Sequence, residues 1–274
     1  MTLDDFDAKS MEFTGNVWKL TKYVKTDPKS GGDYCFVRFE ADGKVLHDFR
    51  CGPVKNSANA DMDWTRVYQF KAEGKWPSLL AVLWYEGGAH SAHVLRLIKL
   101  ADSYPVIFDT NETSFRYFED LDNDGMAEIV VDSFAFDYFY ESAIHFSHAD
   151  SPYGTLVAKY TDRWTRYMWA NNLFPDLLRV REDEGKEDFL RKWPGGEKIP
   201  VSIATEQYSD AAYAYRALVR WAVHAAYAEG EQKADAIIEQ YTDPVLAVFA
   251  KHEFKLTLRG DQNYSNMLNN PVKR

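Results

Sequence analysis

From residue 13 to about residue 160 the apolar residues fall in short runs separated by turn signals. After about residue 160 they recur at helical spacing. Runs at residues 17–24, 65–70, 79–85 and 92–98 are rich in aromatic and β-branched side chains. Clusters such as Pro28-Lys-Ser-Gly-Gly32 and Glu86-Gly-Gly88 punctuate them. This pattern predicts strands, because branched and aromatic side chains fit a pleated surface and glycine or proline ends it. Strands at this spacing suggest a meander, a sandwich or a propeller-like antiparallel sheet. Asp42-Gly43 between alternating apolar residues predicts a hairpin joining residues 34–39 to residues 45–49.

The second part reads differently. Residues 208–230 are alanine-rich, with Leu218, Trp221, Ala222 and Ala225 in one helical stripe. Ser209 or Asp210 can cap its start, and Gly230 can end it. A further helix carries Ala234, Ile237, Ile238 and Tyr241, and Asp243-Pro244 starts another with a cap and a proline at the first turn. The acidic stretch 182–188 reads as a solvated turn or helix end. The predicted class is α+β: an N-terminal antiparallel β domain over residues 1–160, then a helical domain over residues 161–274 packed on it. Phe134, Phe136, Tyr138 and Tyr140 would share one strand face, and Trp164, Tyr167, Met168 and Trp169 one helical face. These two faces could cover each other, and no Pro/Gly/Ser-rich linker separates them.

The candidate chemistry lies in Asp120-Leu-Asp122-Asn-Asp124-Gly125-Met126-Ala-Glu128. Carboxylates stand at loop positions 1, 3, 5 and 9, with glycine at 6 and the Met126 carbonyl available at 7. Four acids in nine residues repel one another, and a hard cation with several oxygen ligands relieves that repulsion. Calcium is the expected cofactor, held by Asp120, Asp122, Asp124, Met126 and Glu128. Position 12 is Val131 and both flanks read as strands, so the site is not an EF-hand but a strand-loop-strand site. The alternative is an acidic turn that binds nothing.

The net charge of -10 argues against nucleic acid as a partner. No apolar run approaches the roughly 18 residues of a membrane span. The acidic start lacks a leader's basic and apolar regions, so the chain is either cytoplasmic or a mature exported protein. Cys35 and Cys51 flank the predicted hairpin. A three-residue loop centred on Gly43 would set them opposite each other and a two-residue loop would offset them by one. A disulfide between them would suit an oxidising compartment; two unrelated buried thiols are the alternative.

Gly87-Gly88-Ala89-His90, the acidic loop, Asp132-Ser-Phe-Ala-Phe-Asp-Tyr138 and Ser151-Pro152 together resemble the bacterial secreted proteins described as FG-GAP or integrin-like repeat proteins. The resemblance covers about a third of the chain. It implies calcium binding at Asp120, Asp122, Asp124, Met126 and Glu128, and no known catalytic activity. Ser91-Ala92 stand where the family pattern has a cysteine pair.

Other features weigh less. His90/His93 and His145/His148 could supply metal ligands, but residues three apart on a strand face opposite ways. There is no nucleophile elbow, P-loop or dinucleotide fingerprint. The leading expectation is a non-catalytic calcium-binding protein, periplasmic or secreted, that acts by binding another protein. An inhibitor or immunity protein against a secreted toxin or hydrolase is one alternative. A hydrolase using two carboxylates is the other.

Overall fold

The computed structural model describes residues 4–6, 18–26, 28–29, 31–53, 66–70, 77–85, 93–101, 103–110, 113–137, 139, 146, 151–162, 166–205 and 208–272. The fold is α+β, as the two periodicities predict: among the described residues, twelve strands in three antiparallel sheets are followed by five helices. By contact the chain divides into two compact units. One is Met1–Phe115 with Asn123–Met126; the other is Arg116–Asp122 with Ala127–Arg274. The division falls within a strand and not at residue 160, because the last sheet groups with the helices.

The first unit holds two sheets. Strands β2 (Trp18–Thr26), β3 (Asp33–Ala41) and β4 (Lys44–Pro53) pair in sequence order. Along β3, Cys35, Val37, Phe39 and Ala41 are buried and the residues between them are not, the alternation of a sheet with one covered face. The β3–β4 turn has two residues, Asp42 and Gly43, at φ 51° and 73°. Both angles are positive, as a primed hairpin turn requires. The second sheet has the order β1-β5-β6-β7-β8, from Asp4–Phe6, Arg66–Phe70, Leu79–Tyr85, His93–Lys99 and Val106–Asp109. Leu79, Leu80, Ala81 and Val82 of the central strand β6 are all buried, as expected where both faces are covered.

The third sheet joins strands β9 (Thr113–Glu119), β10 (Glu128–Ser133), β11 (Gly154–Thr161) and β12 (Arg166–Trp169) in the order β12-β11-β10-β9, and the second unit also carries the helices. These are α1 (Pro175–Lys192), α2 (Asp210–Glu229), α3 (Glu231–Tyr241), α4 (Pro244–Gly260) and α5 (Gln262–Asn269). The Ser209 hydroxyl accepts from Ala212 N–H at 3.2 Å and Asp243 accepts from Val245 N–H at 2.9 Å, so both predicted caps are made. Helix α2 is buried on most of its surface. Its small residues permit close approach, and Gly185 of α1 sits where a Cβ would be 3.0 Å from the Trp221 Cα.

Polar side chains tie the sheet to the helices. Asn171 accepts from Val157 N–H at 2.8 Å and donates to the carbonyls of Thr155 at 2.9 Å and Tyr227 at 3.3 Å. Ser133 donates to Asp261 at 2.8 Å, Tyr227 donates to the same oxygen, and the other Asp261 oxygen caps α5 at Asn263 N–H. Burial, reinforced by the Asp261 carboxylate, holds the Tyr227 phenol well above its usual range.

Three local expectations are corrected. Residues 182–188 lie inside α1, not in a turn; Glu182 is buried and Gly185 meets α2. Residues 132–140 do not form one aromatic strand. Strand β10 ends at Ser133, and Phe134 accepts from Asp137 N–H across a turn. Phe136 instead joins Phe139 and Phe254, with ring centroids 5.3 and 4.9 Å away, while residues 138 and 140 lie outside the described residues. Tyr167, Met168 and Trp169 belong to β12, not to a helix; Trp164 lies outside the described residues.

Candidate metal site

The acidic loop connects β9 to β10, two neighbouring strands of one sheet, so the sequence reading of a strand-loop-strand element matches the backbone. Two left-handed residues shape the loop, Asn123 at φ 58° and Gly125 at φ 85°. Asparagine and glycine are the residues that adopt this region at least cost. The Met126 N–H donates to Asp124 Oδ1 at 2.8 Å, closing the turn after Gly125. The Met126 side chain is buried.

Asp120, Asp122 and Asp124 each bring a carboxylate oxygen to within 4.8 Å of the others. Asp122 and Asp124 are exposed. Like charges at this separation repel, and exposure to water softens the repulsion without removing it. The donor set is made of hard oxygens at an open loop, which fits calcium or another oxygen-seeking divalent cation that completes its shell with water.

Glu128 stands apart from this group. It is fully buried. Its Oε2 accepts from Leu121 N–H at 2.8 Å, across the neck of the loop. Its Oε1 accepts from Lys159 Nζ at 2.9 Å, and the same ammonium donates to Asp122 Oδ2 at 2.8 Å. Lys159 projects from β11, the strand beside β10. Burial pushes the Glu128 carboxyl above its usual range, with Lys159 and the Leu121 N–H opposing that shift. The five predicted ligands therefore divide into three grouped aspartates, a backbone anchor at Met126, and a glutamate engaged with Lys159. Tyr167 completes the floor by donating to the Ala127 carbonyl at 3.1 Å.

Lys159 is the residue that the sequence reading missed. A signal existed: a lone lysine follows Leu156-Val-Ala158 in a strand otherwise buried to that point. Buried or half-buried lysine calls for a carboxylate partner.

Cys35 is buried and carries a thiol, with Sγ 4.0 Å from the Phe36 carbonyl. The hairpin loop has two residues, which alone would offset Cys35 and Cys51. A bulge between Phe39 and Glu40 shifts the ladder by one, giving Phe36↔Arg50, and a second irregularity precedes Tyr34↔Pro53. The backbone at 51 and 52 thus faces Cys35. The Cys51 side chain lies outside the described residues. Of the histidine pairs, His93 begins β7 and its N–H donates to Ser114 Oγ at 3.1 Å; His90, His145 and His148 lie outside the described residues. Among the described residues the three aspartates are the only group of three or more acidic, histidine or cysteine side chains arranged to share an ion. No described helix is long and apolar enough to cross a membrane.

No protein family, curated relative or solved structure matches this chain.

Proposed function

We propose that the chain binds one calcium ion in the β9–β10 loop through Asp120, Asp122 and Asp124, and that it is a non-catalytic protein of the bacterial envelope or exterior. The convergence of the three carboxylates to within 4.8 Å carries the reading. The left-handed turns at Asn123 and Gly125 support it, because they curl the chain around a point. The ion's task in this reading is structural: it neutralises the loop and fixes the connection between two strands. Lys159 already places a positive charge against Asp122, which lowers the net negative charge available to the ion. The affinity therefore falls at the weak end for calcium loops, on the order of 10⁻⁴–10⁻³ M, as in extracellular modules. Such a site fills where calcium is abundant, which agrees with the location that the FG-GAP resemblance implies.

Action by binding another protein is supported by α4. Val245, Val248, Phe249 and Leu256 are 55%, 64%, 54% and 57% exposed. Their spacing sets them on one face of the helix. Clustered exposed apolar side chains of this kind mark interaction surfaces. A titration of calcium into chelator-treated protein tests the metal reading. One bound ion that disappears in Asp122→Ala/Asp124→Ala is expected. A pull-down comparing the wild type with Val248→Asp/Phe249→Asp tests the partner reading, and equal recovery of partners by both would oppose it.

A further inference from the structure

We draw no further inference here: the strongest candidate, the exposed apolar stripe of α4, already serves the proposed reading, and nothing in the structure shows what covers it.

Discussion

Lys159 Nζ lies 2.9 Å from the Oε1 of Glu128, a carboxylate with no exposure to solvent. The pair ties β11 to the first residue of β10, and through the Leu121 N–H it fixes both ends of the acidic loop. Removing one member of a buried ion pair leaves the other uncompensated and costs about 3–5 kcal/mol. Lys159→Met should therefore lower the urea midpoint sharply. The loss should deepen as pH rises. The folded Glu128 carboxyl already binds its proton more tightly than the unfolded one, so ionising it with rising pH disfavours the fold. A Lys159→Met protein as stable as the wild type at neutral pH would show that the pair is incidental.

Gly154 offers a steric test. A Cβ there would stand 2.2 Å from the Tyr227 ring, and that ring is held by its bond to Asp261. Overpacking of this kind costs about 1–3 kcal/mol. Gly154→Ala should lower stability by that amount. Gly154→Ala combined with Tyr227→Ala should show a smaller loss than the two single changes added together. Strict additivity would mean that the two residues do not touch.

The helical interface carries an acid-sensitive group. His224 of α2 has a buried Nδ1 with no hydrogen-bond partner among the described residues. Burial first, then Arg181 and Arg220, bring its pKa down to about 4 from 6.5. The unfolded chain therefore takes up this proton before the folded one, and stability falls as pH drops from about 6.5 to about 4. At most about 3 kcal/mol is at stake. His224→Gln should flatten this part of the stability–pH curve. An unchanged slope would exclude His224 as its source.

The Cys35 register bears on redox chemistry. The two-residue turn and the bulge at Phe39/Glu40 together bring the backbone at 51 opposite Cys35. Mild oxidation should join Cys35 to Cys51. The short loop that this closes limits the gain to about 3 kcal/mol. Alkylation followed by mass spectrometry reads the outcome. Two alkylated thiols after oxidation would show that the side chains cannot meet.

The fold class was legible because both periodicities are strong. β3 alternates over nine residues, and α2 shows its apolar stripe between a serine cap and Gly230. The acidic loop was legible because its carboxylates are close together in sequence. The failures have tertiary causes. The charged stretch around Gly185 resembles a turn, yet Gly185 is there to let α1 approach the Trp221 backbone. The four residues of β12 are too few to separate strand from helix by spacing. The aromatic run after Ser133 turns back at Phe134 to fill a cluster with Phe254, more than a hundred residues away in sequence. Glu128 reads as a ligand by position, and only the strand pairing that brings Lys159 beside it reveals its other partner.

The proposed binding of calcium by Asp120, Asp122 and Asp124 can be tested directly. The direct measurement is a calorimetric titration of chelator-treated protein at low ionic strength, run on the wild type and on Asp122→Ala/Asp124→Ala. The wild type should show a single site with a dissociation constant on the order of 10⁻⁴–10⁻³ M, and the variant should show none. At one hundred times that constant, calcium should stabilise the wild type by about 2.7 kcal/mol. No heat of binding in the wild type, with elemental analysis showing no retained metal, would contradict it.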